Sequence, residues 1–276
     1  MALPAIFEGL DETPLAWSPI VTVIWQLRFE EHPILIAPQT ALRLQELLGG
    51  AAEFALTMLP RIQLSVQAAG AGSAGGMPTP AMGAAGGGWR LSAADGSWHV
   101  NVEAGSVSVE SSSYGSWASD FSPRLQQVLE ALEDVGPPVV ESRLGLRYIN
   151  ILVGSAVGRS PLSAPGELSG LIAPWLLGPL NESRLQDFVQ MTQGRVAFGF
   201  EHANAILNHG VVSAENGELG YLVDIDAFRE GGRAFQSNDV LAHSTILHGV
   251  ALGLFQESLT PEILESMRSA SAGGGA

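Results

Sequence analysis

Glu141-Ser-Arg-Leu-Gly-Leu-Arg-Tyr-Ile-Asn150 is the stretch on which the reading of this chain turns. Its residues alternate in character, as they do in a strand whose successive side chains point to opposite faces. The predicted strand runs from Ser142 to Val153. One face carries Leu144, Leu146, Tyr148, Asn150 and Leu152. The other carries Arg143, Gly145, Arg147, Ile149, Ile151 and Val153. Upstream, Tyr114-Gly-Ser-Trp-Ala-Ser-Asp-Phe121 opens an amphipathic helix predicted over Trp117 to Val135. Phe121, Leu125, Val128, Leu129 and Leu132 form its buried stripe, and Gly136-Pro137-Pro138 stops it.

Working outward, Ile20 to Phe29 reads as a strand with Val21, Val23, Trp25, Leu27 and Phe29 on one face. Ala37 to Leu48 reads as a helix ended by Gly49-Gly50, and Ile62 to Gln67 as a short strand. Ala68 to Gly88 is almost entirely small residues, which bury too little surface to offset the entropy of ordering, so it is predicted to be a flexible loop. Trp89 to Ala93, Trp98 to Val102 and Ser106 to Ser112 read as a meander turned at Asp95-Gly96 and Ala104-Gly105.

The second half repeats the order. Gly166 to Leu177 is a candidate helix limited by Pro174. Arg184 to Phe200, Ala203 to Ala214 and Glu218 to Phe228 are candidate strands, with Asn216-Gly217 a hairpin signal. Asp239 to Phe255 is a predicted helix. Thr260 and Pro261 cap a last short one, and Ser269 to Ala276 is expected to be disordered. The expected class is α+β: two βββα-like units of antiparallel meander plus long helix, with one curved shared sheet as a way to join them. The units are placed at 1–156 and 157–268.

Composition excludes much chemistry. The chain has no cysteine, and its 13 basic residues are all arginine. Thiolate nucleophiles, thiolate metal sites, disulfides, Schiff bases and lysine-dependent phosphate loops are therefore out. A net charge of −15 makes nucleic acid and anionic membrane poor partners. No long apolar run and no basic-then-apolar start is present, so a cytoplasmic protein is expected.

Candidate sites compete with plainer readings. Arg143 and Arg147 lie on the order of 13 Å apart along one strand face with Gly145 between, a spacing suited to carboxylate or peptide-carbonyl recognition. The plainer reading is that each pairs with a nearby carboxylate and holds the helix on the sheet, which 28 acidic residues favour. Trp117, with Tyr114, Phe121 and Tyr148, reads either as packing or as a stacking surface. Asp224 and Asp226 alternate on one strand face, as an acid/base pair or, more simply, as part of a solvated sheet face. The histidines His32, His99, His202, His209, His243 and His248 show no metal-ligand spacing, and no cofactor motif is found.

Four stretches together resemble a sporadically distributed bacterial protein family without an assigned activity. They are Pro19 to Phe29; Tyr114, Trp117 and Phe121; Arg143 to Asn150; and Leu247, His248, Phe255, Leu259 and Thr260. The patchy distribution of that family implies accessory genes, such as natural-product clusters or defence islands. A role similar to the peptide-binding accessory proteins of the crocagin ribosomal-peptide pathway is one such expectation.

The expected function is therefore a non-catalytic, dimeric peptide-binding protein that presents a precursor peptide to modifying enzymes. Arg143, Arg147, Tyr148 and Trp117 are its candidate ligand-binding residues, and no catalytic residue, metal or cofactor is assigned. Docking would use an open strand edge or a groove between sheet and helix. The alternatives are an enzyme for a small acidic or peptidic substrate, using Asp224, Asp226 or a histidine as base, and a defence or regulatory module acting through protein contacts.

Overall fold

The computed structural model describes residues 3–13, 15, 17–63, 81–157, 159–182, 184–189, 191–214 and 217–269. Its strands are β1 (Ile20–Phe29), β2 (Phe54–Gln63), β3 (Ala81–Ala93), β4 (Trp98–Glu103), β5 (Ser106–Ser111), β6 (Val140–Val153), β7 (Gln193–Gly199), β8 (Asn204–Ser213) and β9 (Leu219–Ala234). They form one antiparallel, open sheet in the order β2-β3-β4-β5-β1-β6-β9-β8-β7. The helices are α1 (Pro38–Leu47), α2 (Ser122–Val135), α3 (Pro174–Leu177), α4 (Ser237–Glu257) and α5 (Pro261–Ser269).

The order of strands corrects the expected repeat. β1 is followed by a meander whose last strand, β5, returns to pair with it. β6 is followed by a meander whose last strand, β9, does the same. Each meander is then followed by a long helix, α2 or α4. The repeat is thus a lone strand, a meander folded back onto it, and a helix, in place of three strands and a helix. The signature strand β6 opens the second such run, and its pairing with β1 and β9 joins both halves in one sheet.

The pleat of β6 sorts its side chains as predicted. Leu144, Leu146, Tyr148, Asn150 and Leu152 are all buried on the face where α4 packs on β6 and β9. α2 packs beside α4, and α1 beside α2. On β1 the same parity buries Val23, Trp25, Leu27 and Phe29, and the Trp25 indole N–H donates to Ser244 Oγ of α4 at 2.9 Å. Val21, predicted on this face, is exposed where the β1–β6 register slips. The opposite face is polar, carrying Thr22, Gln26 and Arg28 on β1 and Asp224 and Asp226 on β9.

Several boundaries differ from the sequence reading. β2 begins at Phe54, eight residues before the predicted start at Ile62, and residues 64–67 of that predicted strand lie outside the described residues. In the predicted loop Ala68 to Gly88, residues 68–80 lie outside the described residues, but residues 81–88 are strand. Backbone pairing with β2 places Ala81 opposite Gln63 and Gly83 opposite Arg61, a ladder that composition does not announce. Gly166 to Leu177 is a 3₁₀ turn (Pro165–Gly170) followed by the single-turn α3, because Pro174 starts a helix and cannot continue one. The strand predicted from Arg184 begins only at Gln193. β9 runs on to Ala234, past the predicted end at Phe228, along the start of β6. Asn216 and residues 270–276 are outside the described residues.

That extension of β9 carries a buried ion pair the sequence did not announce. Arg229 Nη2 donates to Glu141 Oε1, and the two residues are 5% and 3% exposed. Glu141 Oε2 and Arg229 Nε have no hydrogen-bond partner among the described residues. Removing one member strands a buried charge, whereas replacing both by apolar groups does not. Arg229→Met is expected to lower unfolding free energy by about 3–5 kcal/mol, with Glu141→Leu/Arg229→Met recovering most of it. Urea titrations of both variants check this. Equal losses would show that the charges are not coupled.

Candidate functional site

The four candidate binding residues fall on two sides of the sheet. Trp117 and Tyr148 line a cavity of about 340 Å³ on the helix face, together with Tyr114, Asn150, His248 and Phe255. Arg143 and Arg147 lie on the other face, where strand parity puts them.

On that polar face the plainer reading of the arginines holds in part. Arg143 Nη2 donates to Asp226 at 2.9 Å, and its guanidinium carbon lies 4.8 Å from the centre of the Phe228 ring. Arg147 donates through Nε and Nη2 to the two oxygens of Asp224, both at 2.7 Å. Asn208 Nδ2 adds a third hydrogen bond to Asp224 at 3.2 Å. These pairs tie β6 to β9 and β8; they do not hold a helix, since the helices pack on the other face. The space at Gly145 is filled from within, because a Cβ there would meet the Arg143 guanidinium at 2.6 Å. Asp224 and Asp226 are committed to these arginines, so neither is set up as a free base.

The cavity is built from three pieces of chain. The first is a π turn, Trp117–Phe121, which precedes α2 where a continuous helix was predicted. The Phe121 N–H reaches back five residues to the Ser116 carbonyl at 3.0 Å, and Ser116 Oγ accepts from the Ser119 N–H at 3.1 Å. Pro123, in the first turn of α2, has no N–H to extend the ladder backward. The wide turn aims Trp117 at α4, where its ring stacks on His248 at 4.8 Å and 7°.

The second piece is the sheet. The Tyr148 hydroxyl lies 2.9 Å from His248 Nδ1 and 3.5 Å from the Tyr114 hydroxyl. The same hydroxyl is oriented to donate to Tyr114, but 3.5 Å is too long for an O–H···O bond to compete, so its single proton goes to His248 Nδ1, the nearer and more basic acceptor. His248 Nδ1 is then an acceptor, and Nε2 carries the hydrogen. Beside it, Asn150 Nδ2 donates to the Val223 carbonyl at 2.9 Å. That bond fixes the amide orientation and leaves Oδ1 as the free acceptor.

The third piece is the N-terminal segment, which walls the cavity with Asp11, Glu12, Thr13 and Leu15. It is seated on α4 through Gly249 and Gly253, four apart on one helix face. A Cβ at either position would run into Leu3 or Phe7 respectively. Gln256 Nε2 donates to the Asp11 carbonyl at 2.8 Å, and Arg268 pairs with the Asp11 carboxylate at 3.2 Å.

Burial sets the protonation of the site. It pushes His248 down to about 4, so the imidazole is neutral at pH 7. It pushes Tyr114 up to about 12 and Tyr148 well above the usual phenol range. The cavity therefore offers neutral hydrogen-bonding groups among apolar walls. Sequence reasoning named Trp117 and Tyr148 but passed over His248 and Asn150. The signal available was shared face: Asn150 has the parity of Tyr148, and His248 lies seven residues before Phe255, on the same side of α4.

Among the described residues no group of three histidines, aspartates or glutamates could hold a metal ion, and no helix is long and apolar enough to cross a membrane. No known family profile matches the chain, and no curated protein is similar enough to match.

The neutral state of His248 has a stability consequence. Its folded value lies below that of an unfolded histidine, so between about pH 6.5 and 4 the unfolded chain binds the extra proton. The stabilisation is complete above pH 6.5 and is lost as the pH falls. For His248 alone the loss from pH 7 to pH 5 is about 2 kcal/mol. His99, His209 and His243, also lowered by burial, act in the same direction. Thermal melts at pH 7 and pH 5 should therefore show a smaller drop in His248→Phe than in the parent chain. Identical drops would mean that His248 is accessible to protons.

Proposed function

We propose that this chain is a non-catalytic peptide-binding protein whose site is the cavity between β6, the π turn and α4. The observation that carries the reading is the character of that cavity. Its walls are largely apolar, it is large enough for a bulky side chain, and it holds neutral polar groups with unused hydrogen-bonding capacity. Asp224 and Asp226, the candidate acid/base pair, are instead tied to arginines on the far face.

The resemblance to the sporadic bacterial family supports an accessory role, in which the bound segment is a precursor peptide offered to modifying enzymes. A groove between sheet and helix is favoured over strand addition, because the cavity lies in such a groove. The arginine face becomes structural in this reading: Arg143 and Arg147 bind carboxylates of the same chain.

Native mass spectrometry with short peptides encoded beside the gene tests the proposal. The expected result is a complex carrying peptide of unchanged mass. Trp117→Ala should weaken it at least tenfold, since a large aromatic wall is removed. Arg147→Ala should leave affinity unchanged while lowering stability by about 1–3 kcal/mol, because Asp224 loses its main partner. Peptide returned with altered mass would make the chain an enzyme. Loss of binding in Arg147→Ala with no loss in Trp117→Ala would move the site to the other face.

A further inference from the structure

We propose that the cavity recognises a neutral amide group next to a bulky apolar group, such as a backbone amide flanking an aromatic or large aliphatic side chain. This rests on the reading of the cavity as a binding site and names the chemistry it selects.

Two polar atoms on largely buried residues carry the inference. Asn150 is 2% exposed, and its Nδ2 is committed to backbone carbonyls. Its Oδ1 has no partner among the described residues. His248 is 6% exposed and stacked under Trp117. Its Nδ1 is engaged with Tyr148, and its Nε2 has no partner among the described residues. Neither atom is among those sealed from all solvent. Both residues line the cavity. A ligand that displaces water from these atoms without pairing them leaves them buried and unsatisfied, so the site rejects ligands that cannot make the bonds.

With Nδ1 as acceptor, Nε2 presents a donor, and Asn150 Oδ1 presents an acceptor. A carbonyl oxygen and an N–H are the complements, and an amide supplies both without charge. Trp117, Phe255, Leu252 and Ala251 supply the walls for an adjoining apolar group.

Charge narrows the class further. Among the described residues lining the cavity there is no arginine, while Asp11 and Glu12 stand at the N-terminal wall. The nearby Arg268 is paired with Asp11. A carboxylate would enter without a cation to meet it and close to like charge. An ammonium would find the acidic wall but would face the His248 N–H and lose its hydration against apolar walls.

The test is a calorimetric or NMR titration with four small probes: N-acetylphenylalanine methylamide, N-acetylphenylalanine as its carboxylate, phenethylamine and ethylbenzene. The methylamide is expected to bind at least tenfold tighter than the other three. His248→Phe in a Tyr148→Phe background, so that the Tyr148 hydroxyl is not left without its acceptor, keeps a ring and removes the N–H; it should cut the methylamide-to-ethylbenzene affinity ratio by about tenfold. Equal affinity for the carboxylate, the amine or the hydrocarbon would overturn the amide inference and leave the cavity as an apolar binding site. Failure of all four probes, with longer peptides still bound, would overturn it too. Failure of probes and peptides together would overturn the binding reading itself.

Discussion

The pleat of β6 is the constraint on which the rest of this structure depends. One strand, paired along its length with β1 and β9, divides its residues between two surfaces with opposite chemistry. Leu144, Leu146 and Leu152 bury themselves under the helices, and Tyr148 and Asn150 bring polar atoms into that apolar layer. Arg143 and Arg147, one residue out of phase, meet Asp226 and Asp224 on the other side. A slip of one residue in the β6 register would put guanidinium groups beneath α4 and leucines in water. The register is held from both faces at once, by side-chain packing and by ion pairs.

The same division explains why the two faces differ in what they can do. On the polar face the charged groups satisfy one another: bidentate pairing with Asp224 meets the charge of Arg147 within the chain, and its remaining N–H groups face outward on a half-exposed side chain. On the helix face the sheet and α4 are held apart by the rings of Trp117, Tyr148 and His248, and the N-terminal segment closes one side. The space that results retains an unspent acceptor on Asn150 and an unspent nitrogen on His248. The functional proposal follows from that contrast between spent and unspent polar groups.

What the sequence showed was the local part of this arrangement. Ile20–Phe29 and α4 were legible because their apolar periods match the strand and helix repeats, and the Thr260-Pro261 cap because Thr suits an N-cap and Pro the first helical position; Thr260 Oγ1 does accept from the Ile263 N–H, at 3.4 Å. The two faces of β6 were legible from alternation alone. Pairing was not. That β9 returns beside β6, and so brings Asp224 to Arg147, depends on contacts 77 residues apart that no local pattern encodes. Residues 81–88 were read as loop because small side chains bury too little surface to offset the entropy of ordering, although the backbone ladder needs no side chain. The cavity was half legible: Trp117 and Tyr148 stood out as aromatics, while Asn150 and His248 matter for hydrogen-bonding capacity left open by tertiary neighbours.

A ligand in this cavity would meet His248 on the helix face of the sheet. Histidine ¹⁵N NMR, recorded at pH 5.5 with and without bound peptide, tests it most directly. The expected spectrum shows a neutral His248 with its hydrogen on Nε2, and an Nε2 resonance that moves when peptide is added. A His248 that titrates near pH 6.5 and does not respond to a peptide that binds would contradict it.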